Sequence, residues 1–134
     1  METEQKGVLK GNVLVMEDDP IISEITKTFL EEIGFKVKVC SNGEQAIKRY
    51  REQLSVGNKF DIVIMDLTIH GGMGGEKAIQ KILEIDKGAN VIVTSGHCNN
   101  PLIEHFRDYG FVGKLIKPFS LDKLKEEVYK IIRR

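Results

Sequence analysis

Three runs of the chain are uninterruptedly apolar, VLVM (13–16), IVIM (62–65) and VIV (91–93), and two are broken by charge. In FKVKVC (35–40) Phe35, Val37 and Val39 alternate with Lys36 and Lys38, and VGKLI (112–116) carries Lys114. Short apolar runs bounded by polar residues or glycine predict strands. Each is followed by apolar positions at helical spacing. Asp19-Pro20 forms a helix start, with Ile21, Ile22, Ile25, Phe29 and Ile33 on one predicted face before Gly34. Ser41 and Glu44 form a capping-box pair ahead of Ala46, Ile47, Tyr50 and Leu54. Ala78, Ile79, Ile82 and Leu83 predict a third helix, 101–109 a short fourth, and Leu121, Leu124, Val128, Ile131 and Ile132 a fifth.

Five strand-helix units in succession predict a parallel sheet with helices on both faces, a doubly wound α/β sandwich of three layers. The uninterrupted runs suit strands covered on both sides. The charge-broken second and fifth strands belong at the edges. The order 2-1-3-4-5 satisfies this, and it sets a topological switch point between strands 1 and 3, beyond whose carboxyl ends ligands bind.

Those carboxyl ends carry chemistry. Strand 1 runs into Glu17, Asp18 and Asp19, strand 3 into Asp66, strand 4 into Thr94 and Ser95, and strand 5 into Lys117. Asp19 is accounted for as a helix cap. Carboxylates gathered at one switch point repel by roughly 4 kcal/mol per pair at ~4 Å with an effective dielectric of ~20, so the arrangement calls for a cation. Hard oxygen donors with room for water point to Mg²⁺ or Mn²⁺.

Composition narrows the setting. The chain has 134 residues, enough for a single domain, and 20 Lys plus Arg balance 20 Asp plus Glu, so no overall field draws it to nucleic acid or to anionic lipid. It has no signal-like apolar run and no membrane-spanning stretch, and a cytoplasmic location is expected. Cys40 and Cys98 lack metal or redox spacing and are read as free thiols. The polar segment 1–11 is read as an extension preceding a domain over 12–134.

The strings VLVMEDDP, DIVIMDLT, VIVTSG and KLIKPF, in this order, resemble the receiver domain of response regulators in two-component signalling, from about residue 12 to 132. MDLTIHGGMGG and SGHCNNP are most similar to receivers attached to hybrid sensor histidine kinases. The resemblance implies a flavodoxin-like (βα)5 fold and a phosphoacceptor role for Asp66. Glu17 and Asp18 would hold Mg²⁺ together with Asp66 and the backbone carbonyl of Thr68. It further implies that Thr94 hydrogen-bonds a phosphoryl oxygen and that Lys117 bridges to it. The donor would be a phosphohistidine on a histidine kinase or histidine phosphotransfer domain. The domain would be a signalling module that at most catalyses its own phosphorylation and dephosphorylation.

Three departures from the family pattern stand out. His70 occupies a position where the family commonly has proline, GGMGG (71–75) is one residue longer than the usual loop, and Lys114 replaces the aromatic switch residue of many receivers. Other classes fit less well. A flavodoxin-like cofactor binder needs a phosphate cradle after strand 1, where this chain has acids. A phosphatase resembling the haloacid dehalogenases needs a second acid two residues after the nucleophile, where DLT (66–68) has threonine. A docking module independent of phosphorylation would not need the acidic constellation.

Overall fold

The computed structural model describes residues 10–97 and 99–132. Most of the 1–11 extension, and the expected free thiol of Cys98, lie outside the described residues. Five strands, β1 (Asn12–Met16), β2 (Lys36–Cys40), β3 (Ile62–Asp66), β4 (Val91–Ser95) and β5 (Gly113–Ile116), form one parallel sheet in the order β2-β1-β3-β4-β5. The helices are α1 (Pro20–Ile33), α2 (Gly43–Ser55), α3 (Gly75–Ile85), α4 (Pro101–Glu104) and α5 (Leu121–Ile132). This is the doubly wound, flavodoxin-like (βα)5 sandwich, with the charge-broken strands at its two edges.

Strand alternation splits the core in two. Val13, Val15, Ile62, Ile64, Ile92 and Leu115 meet Leu30 and Ile33 of α1 and Leu124, Val128 and Ile131 of α5. Leu14, Met16, Val63, Met65, Val91 and Val93 face Ala46 and Tyr50 of α2, Ala78, Ile79 and Ile82 of α3, and Leu102 and Ile103 of α4. Burying a side chain of this size contributes about 1.5–3 kcal/mol, so each face is a substantial hydrophobic contact.

Local structure departs from the sequence pattern in three places. The cap of α2 is Asn42, whose side chain accepts from Gln45 N at 2.9 Å, while Gln45 Oε1 accepts from Ser41 N. Glu44, expected in the capping box, instead accepts from Met73 N at 3.2 Å and holds the glycine-rich loop. The predicted helix over 101–109 is one turn of α4 followed by a 3-10 helix, Phe106–Tyr109, the two meeting at His105 with φ −110 and ψ 39. The stripe of α1 that faces the sheet is Ser23, Thr26, Leu30 and Ile33, whereas Ile21 is 72% and Ile25 47% exposed. The helix begins directly after its Asp19 cap, so its first turn stands over the end of the sheet, with Ile21 and Ile22 lining a cleft there.

The glycine-rich loop is required by close approach. A Cβ on Gly74 would lie 2.5 Å from the Leu67 carbonyl oxygen, and one on Gly75 would lie 2.8 Å from that of Asp66. The start of α3 therefore seats directly on the end of β3, and Gly75 N donates to Leu67 O at 3.1 Å.

At the opposite end of the sheet, the fully buried Tyr50 donates to Asp86 Oδ2 at 2.7 Å, and Lys59 Nζ lies 3.2 Å from the same oxygen. The Tyr50 hydroxyl, against the cost of desolvation and with help from Gly88 N–H and Lys59, holds the Asp86 carboxyl below the usual range. Tyr50→Phe is expected to cost about 1.5 kcal/mol of stability at neutral pH, the scale of a hydrogen bond to a charged group. Because the folded-state pKa of Asp86 is depressed, the stabilisation is complete above its unfolded value of about 3.9 and is lost as pH falls through the folded value. Urea denaturation of both forms across that acidic window should show their stability difference closing.

Candidate metal and phosphoryl site

The two-residue alternation that builds the core also builds the site. Val13 and Val15 lead to Glu17, Ile62 and Ile64 to Asp66, and Leu115 to Lys117, so all three polar side chains belong to the sheet face covered by α1 and α5. Pairing keeps them level: Met16 is in register with Met65, and Lys117 N donates to Ser95 O at 2.8 Å. Glu17 and Asp66 are 6% and 5% exposed.

Lys117 Nζ lies 3.0 Å from both Glu17 Oε1 and Asp66 Oδ2 and is the internal counter-cation of the pair. Thr68 N donates to Asp66 Oδ1 at 3.3 Å, and Asp19 N to Glu17 Oε2 at 3.1 Å. Asp18 is tied from outside the strand, because His70 N donates to its Oδ2 at 3.1 Å. A proline at position 70 would have no N–H for this bond.

These environments separate the two neighbouring acids. Burial and the nearby Asp66 charge push the Glu17 carboxyl up, outweighing hydrogen bonds from Asp19 N–H and Lys117. For Asp18 desolvation also opposes the charge, but the His70 N–H and other hydrogen bonds outweigh it and hold the carboxyl below its ordinary value. Lys117 loses solvation on burial, yet its bonds to Asp66 and Glu17 raise its pKa and keep it a cation. The expected repulsion is thus largely relieved by a lysine within the fold, and what remains falls on Glu17.

Glu17, Asp18 and Asp66 each offer a carboxylate oxygen, all within 4.8 Å of one another. An all-oxygen set of this size, open to solvent on one side, fits a small hard divalent cation that retains part of its water shell. Thr68 lines the same cleft of about 570 Å³, together with His70, Ser95, Gly96 and His97.

Two hydroxyls end β4, Thr94 and Ser95. β4 continues two residues beyond its apolar run, and Thr94, expected to face the site, is in register with Asp66 on one side and the core residue Leu115 on the other. By alternation Thr94 follows Ile92 and belongs to the same sheet face as Asp66 and Lys117, while Ser95, equally buried, lines the cleft where β4 ends. Ser95 Oγ accepts from His97 N at 3.0 Å, which leaves its own hydrogen to donate into the cleft. The sequence signal for Ser95 was the following Gly96, which marks the last strand residue before the turn. Lys114 is half-buried with Nζ 5.5 Å from the centre of the Phe106 ring, so a cation-aromatic contact occupies the place of the switch aromatic.

A parallel doubly wound sheet with an acidic cleft at its switch point, closed by one lysine and one hydroxyl, defines a class built for handling phosphoryl groups on a carboxylate. The model of the response regulator receiver domain matches residues 13–129, and the chain belongs to that family. It is 29% identical over 120 residues to the chemotaxis protein CheY of Thermotoga maritima, covering 89% of this chain and 95% of that protein. It is 31% identical over 121 residues to the probable C4-dicarboxylate response regulator DctR of Bacillus subtilis, covering 88% of this chain and 50% of that protein. The chain thus spans about half the length of that response regulator and nearly all of that CheY. Among solved structures, CheY in a CheX-CheY-BeF3-Mg²⁺ complex from Borrelia burgdorferi superposes with TM-score 0.83 at 25% identity, covering 96% of this chain and 93% of that one. The receiver domain of a sensor histidine kinase from Pseudomonas aeruginosa PAO1, with a magnesium ion in its active site cleft, has TM-score 0.82 at 20% identity, covering 94% and 100%. At that identity the second likeness shows the shared fold.

The phosphoacceptor domain of a two-component system is therefore the function this family membership assigns. A histidine kinase or phosphotransfer protein is the implied partner, and the receiver family is a signalling family. Among the described residues no helix is long and apolar enough to cross a membrane.

Proposed function

We propose that Asp66 takes a phosphoryl group directly from a partner's phosphohistidine, with Mg²⁺ held by Glu17, Asp18, Asp66 and the Thr68 carbonyl. One observation carries the reading: Asp66, 5% exposed, lies at the mouth of the cleft with Lys117 at 3.0 Å and two further acids beside it. A carboxylate oxygen of Asp66 attacks phosphorus, the P–N bond breaks, and its electron pair leaves on the imidazole nitrogen, which solvent reprotonates. When bound, Mg²⁺ neutralises charge on the transferring oxygens. Lys117 and the Thr94 hydroxyl, in register with Asp66, hold those oxygens, and Ser95 lines the cleft beside them. The turnover is limited to gain and loss of the domain's own phosphoryl group, and the protein acts in the cytoplasm without contacting nucleic acid or membrane through this domain. Incubation with acetyl phosphate and Mg²⁺ should add the mass of one phosphoryl group to the intact chain, and EDTA should prevent it.

The donor has to approach over the exposed apolar turn of α1. Ile25 and Ile22, with Pro118 and Phe119, form an apolar hollow that adjoins the cleft through Lys117 and Gly96. A helical surface presenting the phosphohistidine would bury it. Ile25→Asp should slow transfer from any histidine kinase that phosphorylates the wild-type chain by about tenfold, the weight of an interface residue worth over 1 kcal/mol. Labelling by acetyl phosphate should be unchanged, and equal loss with both donors would place the defect in the fold instead.

A further inference from the structure

We propose that His70 adds a nitrogen donor to the cation site, so that the cleft favours borderline divalent transition metals over Mg²⁺ more than its carboxylates alone would. The inference rests on the reading of Glu17, Asp18 and Asp66 as cation ligands. His70 lines the same cleft, and its Nδ1 lies 3.6 Å from Asp18 Oδ2. Its backbone N–H bond to that carboxylate fixes the position of the residue, while its side chain is 91% exposed and has room to turn.

The ligand atoms that already lie within 4.8 Å of one another are those of Glu17, Asp18 and Asp66, so the exposed His70 ring has to turn to join them. Two donors each ~2.1 Å from one octahedral ion stand roughly 3 Å apart, close to the present 3.6 Å between Nδ1 and Asp18 Oδ2. Bonding by His70 would replace one coordinated water. Mg²⁺ gains little from this exchange because it prefers oxygen and sheds water reluctantly. Mn²⁺, Co²⁺, Ni²⁺ and Zn²⁺ accept imidazole readily, with affinity rising along that series to nickel. His97 lines the cleft from the turn after β4, but its N–H is engaged with Ser95 Oγ and it has no contact to an acid of the cluster. It serves as the internal control.

Isothermal titration of the tag-free chain with MgCl₂ and with NiCl₂, at mildly alkaline pH, would test this in wild type, His70→Ala and His97→Ala. His70→Ala keeps the backbone N–H and removes only the ring. It should weaken Ni²⁺ about tenfold and leave Mg²⁺ within about twofold, and His97→Ala should change neither. With Mn²⁺ bound, electron spin echo modulation should show nitrogen coupling in wild type and in His97→Ala but not in His70→Ala. An unchanged ratio of Ni²⁺ to Mg²⁺ affinity in His70→Ala, or nitrogen coupling absent from wild type or surviving the substitution, would overturn the role of His70 while Mg²⁺ binding upheld the carboxylate site. Failure of wild type to bind Mg²⁺ would overturn both.

Discussion

Asp66→Asn will reduce covalent phosphorylation to background, whether the donor is a kinase or acetyl phosphate. The amide has nearly the shape of the carboxylate, so the fold and its cleft survive, but it lacks the anionic oxygen that attacks phosphorus. None of the neighbours can substitute. Glu17 is engaged by Lys117 and Asp19 N–H, and Asp18 is tied to His70 N–H. Intact-mass measurement after labelling decides the outcome, and borohydride reduction followed by peptide mapping places the modified residue. Modification at Glu17 or Asp18 in the wild type would contradict the assignment. Titration with beryllofluoride separates the two hydroxyls of β4. Thr94→Val should lower affinity for beryllofluoride about tenfold, the loss of one hydrogen bond to a charged ligand, whereas Ser95→Ala should stay within about twofold.

Lys117→Met is expected to destabilise the metal-free protein by about 3 kcal/mol, because removing one partner of a buried ionic group leaves the others uncompensated. Glu17 and Asp66 are 5% and 7% exposed at their side chains and each lies 3.0 Å from the lysine nitrogen. Methionine retains the aliphatic stem and loses only the charge. For a domain of this size the cost corresponds to a fall in melting temperature of roughly 10 °C. Mg²⁺ supplies the missing positive charge and binds the native state alone, so its addition should raise the melting temperature of Lys117→Met more than that of wild type. Thermal melts with and without millimolar Mg²⁺ give both numbers. Equal melting of the two proteins without metal would mean that solvent already screens the pair.

The same geometry changes an expectation drawn from carboxylate crowding. If three bare acids converged, neutralising any one would stabilise the metal-free fold. With Lys117 between Glu17 and Asp66, and His70 N–H on Asp18, the acid whose charge the fold tolerates least is Glu17, pushed up by burial.

Hydrophobic period and strand interruption were enough to determine the α/β class, the five units and the order of the sheet, because burial on one face or two writes itself directly into side-chain pattern. The acids and the lysine were legible too, since they follow immediately on the runs that become strands. Tertiary structure decided the rest. Which stripe of α1 is buried depended on where its first turn stands relative to the sheet, and so Ile21 and Ile25, apolar like the core, face solvent. That Thr94 stands level with Asp66 and on its face depended on the register in which β3 and β4 pair, since one residue along a strand changes both height and face. The bond from His70 N–H to Asp18 spans 52 positions of the chain. It exists only because two loops leave neighbouring strands at the same end of the sheet, a juxtaposition that no local pattern encodes.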